Sequence, residues 1–345
     1  MIEPRLPGAV EFAQRAEQAG VDSLWAPEVW GYDALTGLAY VAAKTSSIKL
    51  GTFVVQLGSR SPALLATSAM SLQVLSGNRF RLGIGVSGPQ VMEGWHGVRF
   101  TKPIATTRET IEIVRTVSRG ERLVHDGQVY QLPLPDGPGK PLRPMIAPGE
   151  LPIYVAAMGP ANLRLTGAAA DGWLGNTFMP ESPEVFLDAI AEGARGAGRS
   201  LSDIDLVAPV ALEFADDADG EKALARKHAG GYAFTIGAMG AGGPGRPEAG
   251  RFRSANFYNN AFTRSGYGDA VEEVTRLWQA GDKDAARAAV PDDIGRRTNL
   301  LGTDEMIAQR IGLHADAGIG TLLIKLDGDF DSQLAALRRL VAIIG

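Results

Sequence analysis

The 345-residue chain is 45% hydrophobic and 21% charged, which allows a packed core and argues against disorder. Its 34 basic and 39 acidic side chains give a net charge of −5, which lacks the dense basic face of a nucleic-acid binder. Cysteine is absent, so disulfides, thiolate metal sites and cysteine nucleophiles are excluded. His96, His125, His228 and His314 are scattered without zinc-ligand spacing, and no metal is expected.

The first 20 residues carry acids and no apolar leader core, and no apolar run approaches the ~18 residues of a membrane span. A cytoplasmic protein without a membrane partner is the expectation. Phe12, Ala16 and Ala19 recur at helical spacing and Gly20 stops them. Residues 21–27 read as a short buried strand, 34–44 as a helix and 47–56 as a second strand. Ser61 and Pro62 form an N-cap and first helical position; Leu65, Ala69 and Leu72 give the apolar stripe, and Gly77 closes the helix. A third strand at 79–86 precedes a helix opened by Pro103. Then follow a strand at 151–158, a helix at 160–170, a strand at 171–176, a helix at 183–197, a strand at 205–214 and a helix at 217–229. A strand at 320–326 and a helix at 330–342 end the chain.

Such alternation demands a parallel sheet, and about seven strands in one chain fit a closed (β/α) barrel. Residues 119–150 and 230–300, Pro/Gly-rich in part, interrupt the rhythm. Helices are expected within the second stretch at 268–280 and 282–289. On a barrel, insertions sit after strands at the catalytic face. The expected organisation is one barrel domain over 1–345 carrying these two insertions.

In RFRLGIGVSGPQ, Gly83, Gly85 and Gly88 match G-x-G-x-x-G. The dinucleotide fingerprint also needs a helix starting at the glycines and an acid ~20 residues on. Pro89, Gly94, Gly97 and Pro103 make a poor helix, and Glu109 lies inside a predicted helix. Two readings survive: close approach of a flat or phosphorylated ligand to the backbone, and tight packing of the barrel end.

The segments LWAPEVWGYDAL, LGTFVVQLGSRSPALLA, LSGNRFRLGIG, GVSGPQVMEGWHG and IYVAAMGPANLRLTGAAADGW appear in this order. Together they resemble the luciferase-like monooxygenase superfamily, and more narrowly its branch of oxidoreductases using the deazaflavin coenzyme F420. The resemblance implies a (β/α)8 TIM-type barrel with the coenzyme, or FMN in sister branches, at the C-terminal ends of the strands. It implies an acid near the ring at Glu28, a non-proline cis bond at Phe53–Val54 bulging against the ring, and Val86, Ser87 and Gly88 lining the next strand end. Ala157, Met158, Gly159 and Pro160 match the turn whose amides meet the coenzyme phosphate, which a helix N-terminus favours. Relatives are dimers, so a homodimer is expected. The barrel's usual first strand would precede the first helix, at which this chain starts, so either the start lies upstream or another segment is expected to close the barrel. Sugar-phosphate dehydrogenases of the group have a histidine where this chain has Val29 and a second acid where it has Gly88, so their catalytic pair does not transfer.

Glu28 is the candidate proton donor or acceptor, or a structural acid on backbone amides. His96 is a second candidate proton donor, or a satisfied structural residue. Gln56 and Ser87 are candidate donors to the ring's polar edge. Trp30 and Tyr32 either wall the substrate pocket or cap the core. Arg60 is read as solvated and Asp171 as a strand or turn residue. Whether Asn256, Phe257, Tyr258 and Asn259 form a lid stays open. The leading expectation is hydride transfer between F420 and a small organic substrate. The alternatives are an FMN-dependent monooxygenase of the same fold, and a non-catalytic flavin-binding barrel.

Overall fold

The computed structural model describes residues 8–238 and 256–345. Helix α1 (Ala9–Gln18) leads into β1 (Ser23–Ala26), α2 (Ala34–Ala42), β2 (Lys49–Thr52), β3 (Val55–Gln56) and α3 (Pro62–Leu75). Next come β4 (Phe80–Gly85), α4 (Pro89–Gly94), α5 (Pro103–Ser118) and a hairpin of β5 (His125–Asp126) and β6 (Gln131–Leu132). The chain continues through β7 (Ile153–Ala156), α6 (Pro160–Ala169), β8 (Gly172–Leu174), α7 (Glu184–Gly196), β9 (Asp205–Phe214) and α8 (Ala218–Ala238). Beyond residue 255 lie α9 (Phe257–Phe262), α10 (Gly268–Gln279), α11 (Lys283–Ala289), α12 (Asp292–Arg297), β10 (Leu300–Gly302), α13 (Asp304–Asp316), β11 (Thr321–Lys325) and α14 (Phe330–Ile344).

All strand pairs outside the hairpin are parallel. The order β1-β2-β4-β7-β8-β9-β10, with β3 also on β4 and β11 also on β9, curls into a nearly closed barrel. Among the described residues no strand precedes α1, and no ladder joins β11 to β1.

Two apolar layers build this shape, because strands of a covered parallel sheet bury both faces. Outward residues such as Leu50, Leu82, Ile84, Ile153 and Val155 meet the helices. Inward residues Trp25, Tyr154, Leu174, Val207 and Leu323 fill the lumen, with Trp25 edge-on to Tyr154 at 5.3 Å between ring centres. Below them the Tyr154 hydroxyl donates to Asp205 Oδ2 at 2.8 Å and accepts from Arg81 Nε at 3.1 Å. Burial, then Asp205, pushes the Tyr154 phenol far up. This plug closes the N-terminal end of the barrel and leaves the other end for chemistry.

The helix signals act as expected. Ser61 accepts from Leu64 N at 3.2 Å with Pro62 following it, and Gly77 takes φ +65°. Four readings are corrected. The strand at 47–56 is two pieces, because residues 53–54 leave the ladder. The glycine run is followed by a short helix, α4, whose six residues end at Gly94. The helix at 217–229 runs on to Ala238: Ala229, Ala233 and Ile236 bury against Val274 and Ile294, and this packing outweighs the helix penalty of Gly230–Gly231, about 1 kcal/mol each. Finally β10, α12 and α13 lie where no element was expected. They are a three-residue strand, a single turn and a weakly amphipathic helix.

Candidate active site at the C-terminal rim

The segments after β1, β3, β4 and β7 meet at the open end of the barrel. The Phe53–Val54 bond is cis, and both residues turn toward the lumen cluster. The first glycines of the run make room for this bulge. A Cβ on Gly83 would fall 1.8 Å from the Thr52 carbonyl oxygen, and one on Gly85 would fall 2.7 Å from Val54 Cγ2. The Thr52 hydroxyl also donates to Gly83 O and accepts from Gly83 N, each at 2.8 Å. Close packing therefore explains Gly83 and Gly85. Ser87 follows in the left-handed region at φ +58°, as does Thr177 above β8 at φ +59°; such backbone is costly for a side-chain-bearing residue and clusters at functional sites. Gly88 is the N-cap of α4. Beside Val86 opens a cavity of 260 Å³, walled by Leu57, Met92, Val98, Phe100 and Tyr130.

A charged and polar chain crosses the rim. Arg60 grips Glu28 with both arms, Nη2 to Oε1 at 2.7 Å and Nη1 to Oε2 at 2.9 Å, and its Nη2 also meets Asp33. This corrects the reading of Arg60 as solvated: its side chain is only 17% exposed and that of Glu28 only 9%. Burial opposes ionisation of Asp33, yet the Thr36 bonds and Arg60 hold its carboxyl below the usual range. Gln56 Nε2 donates to the Glu28 carbonyl at 3.0 Å, and Gln56 Oε1 lies 2.6 Å from His96 Nε2. An amide oxygen only accepts, so His96 donates to it from Nε2. Gln56 Nε2 also lies 3.4 Å from the Val29 carbonyl, so the side chain is engaged at both ends. Glu28, Gln56 and His96, far apart in sequence, form one contiguous set.

Trp30 and Tyr32 are 64% and 62% exposed on the loop after β1, so neither caps the core. After β7, the buried Ala157 and half-buried Met158 lead to Gly159, which starts α6 with no side-chain cap and with Pro160 at the first position. Asn162 in that first turn has Oδ1 buried without a partner among the described residues. Arg264, which sequence reasoning missed, donates to the Met158 carbonyl at 2.7 Å and the Val185 carbonyl at 2.6 Å. Only burial acts on the Arg264 pKa, lowering it. A Cβ on Gly159 would lie 3.8 Å from Phe257 Cδ1, and Tyr258 accepts from Asn176 at 3.1 Å. The second insertion therefore covers the ends of β7 and β8. Nothing in the sequence ties Arg264 to Met158, 106 positions away; only its place in an insertion expected at the catalytic face pointed there.

Other motif residues are structural. Asp171 pairs with Arg115 at 2.6 Å and accepts from Ile153 N at 2.7 Å. Glu109 accepts from the backbone of Gln128, Val129 and Tyr130. Burial works against it, but these donors hold its carboxyl below the usual range, and it pins the first insertion. Among the described residues no cluster could hold a metal ion, and no helix is long and apolar enough to cross a membrane.

The sequence profile of the luciferase-like monooxygenase family matches residues 2–321. A protein of Mycobacterium tuberculosis named as a coenzyme F420-dependent oxidoreductase is 37% identical over 338 residues, 95% of this chain and 93% of that one. Among solved structures, the coenzyme F420-dependent tetrahydromethanopterin reductase of Methanopyrus kandleri matches with a TM-score of 0.76 at 22% identity, covering 99% of this chain and 95% of that one. An F420-dependent secondary alcohol dehydrogenase holding an F420-acetone adduct matches with a TM-score of 0.73 at 18% identity, covering 99% and 96%.

Proposed function

The chain belongs to the luciferase-like monooxygenase family, and on that premise we propose that it transfers a hydride between coenzyme F420 and a small organic substrate. When bound, the deazaflavin ring supplies the carbon that gives or accepts the hydride; the protein must orient the ring, exclude water and manage one proton. The residues present fit such a group. The uncapped start of α6, beside the Arg264 guanidinium, is an electropositive corner suited to the coenzyme phosphate, with Ala157, Met158, Gly159 and Pro160 forming its turn. The orphaned Asn162 Oδ1 in that turn is an acceptor ready for a hydroxyl. Phe53, Val54, Val86, Ser87 and Gly88 flank the space for the ring.

His96 exchanges the substrate proton through Nδ1, a base toward an alcohol and an acid toward a carbonyl. Gln56 is the positioning residue that aims it. Glu28, held by Arg60, fixes the loop on which Trp30 and Tyr32 wall the substrate. The observation that carries this reading is the joining of Glu28, Gln56 and His96 on the same barrel end as the uncapped start of α6. We read the whole chain as one barrel domain with two insertions, working as a homodimer in the cytoplasm.

The test is to titrate the coenzyme-free chain with F420 and with FMN, then to follow loss of oxidised F420 with a panel of alcohols. F420 is expected to bind at least about tenfold more tightly than FMN. His96→Asn is expected to lower kcat about 100-fold while F420 affinity stays within about threefold. Binding of FMN alone would replace this reading with the monooxygenase one, and an unchanged kcat would remove His96 from proton transfer.

A further inference from the structure

β11 ends in Lys325. Leu323, two residues earlier, lies in the lumen with Trp25, Tyr154, Leu174 and Val207, while Leu322 and Ile324 pack outward against the helices. Strand alternation therefore turns Lys325 inward, one layer above Leu323, at the rim. It is largely buried, yet no hydrogen bond or ion pair joins it to any described residue. The neighbouring acids are committed elsewhere. Glu213 is held by Lys227 at 2.6 Å and His228 at 2.8 Å, Asp327 faces Lys227 at 3.6 Å, and Glu28 is held by Arg60. Burial alone, with no charged neighbour contributing, pushes the Lys325 ammonium down. A desolvated cation without a counter-ion is a standing cost to folding, and groups left in that condition cluster at functional sites.

The sheet order says which side of the site Lys325 serves. β11 follows β9 at one end of the order, and β1 and β2 stand at the other, with β4 and β7 between. Once the sheet curls, β11 faces β4 across the lumen, and Leu323 below Lys325 shares the lumen cluster with Phe53 and Val54. The start of α6 lies at the end of β7, three steps away through β8 and β9. An anion that meets Lys325 is therefore not at the corner suited to the coenzyme phosphate. It stands on the β11 wall, opposite β4.

We propose that Lys325 is the anion-binding pole of the substrate pocket, and that the substrate of this enzyme carries a carboxylate or phosphate group. This rests on the proposed F420-dependent reaction and adds the class of substrate to it. The ammonium holds the anionic group at the β11 wall, with a charge-assisted bond that an apolar surrounding strengthens, while the reacting end is left to the β4 side and His96.

The F420-loaded protein is treated with N-hydroxysuccinimidyl acetate, and acetylation of Lys325 is followed by peptide mass spectrometry. Inorganic phosphate or pyruvate is added, each against sodium chloride of equal ionic strength. One or both are expected to slow labelling of Lys325 about tenfold and to leave the exposed Lys222 unaffected. Which one protects separates a phosphate ester from a carboxylate. Lys325→Met is expected to keep F420 affinity within about threefold and to weaken the protecting anion at least about tenfold, whereas Lys325→Arg retains it. Lys325→Met should also melt at a higher temperature than the parent, a change a partnered structural lysine would reverse. Labelling indifferent to both anions overturns the proposal, as does loss of F420 binding in Lys325→Met, which would assign the lysine to the coenzyme. If the parent chain fails to bind F420, the proposed reaction falls, and anion protection measured without coenzyme still decides the role of Lys325.

Discussion

The three glycines of the G-x-G-x-x-G run are not equivalent, and their difference is measurable. Gly83 sits where a Cβ would strike a backbone carbonyl at 1.8 Å; Gly88 would meet only the movable end of Gln90 at 3.0 Å. Gly83→Ala is expected to cost about 3 kcal/mol in urea unfolding and Gly88→Ala less than about 1 kcal/mol. Equal losses would mean that the bulge does not depend on this approach. The spacing was legible in the sequence, but its cause was not. A fingerprint read along one strand cannot show that the next strand leans on it. Arg60 teaches the same lesson. Its charge suggested solvent, whereas Glu28 and Asp33, 32 and 27 positions away, enclose it.

At the scale of elements, α1 is tied to the α2–β2 loop by one carboxylate. Glu17 accepts from Ser46 N at 3.0 Å, Ser47 N at 2.5 Å, Ser47 Oγ at 2.9 Å and Ile48 N at 2.8 Å. Burial opposes its charge, but the four bonds lower its pKa from 4.5 to about 2. A carboxyl lowered on folding contributes stability above its unfolded pKa and loses it as pH falls toward the folded one. The urea midpoint of the parent should therefore fall between about pH 5 and pH 2 more steeply than that of Glu17→Gln. Parallel curves would show that the clamp contributes nothing. The helices themselves were legible because caps and stripes are local. The long α8 was not, since burial of Ala233 and Ile236 overrides two glycines.

At the scale of the molecule, α2 exposes Tyr40 and α3 exposes Leu64, Val74 and Leu75, apolar side chains of the kind that contact surfaces use. In the homodimer we propose, these residues form the contact. Sedimentation should give twice the 36.4 kDa chain mass, and Leu64→Glu with Val74→Glu should return it to the single mass. A monomeric parent would remove the proposal. The barrel keeps a seam: among the described residues no ladder joins the facing edges of β1 and β11.

The sequence by itself determined the alternation of strands and helices, hence a parallel barrel, and it marked the rim segments around Glu28, Phe53–Val54 and Met158–Gly159. Those signals are local periodicity, caps and motif order, which a chain carries whatever its neighbours. Only the tertiary structure decided that Arg60 closes on Glu28, that Gln56 bonds His96, that Arg264 reaches the turn after β7, and that Lys325 has no partner among the described residues. Each depends on which residues a closed ring of strands brings within a few ångströms, and that distance is not a function of position along the chain.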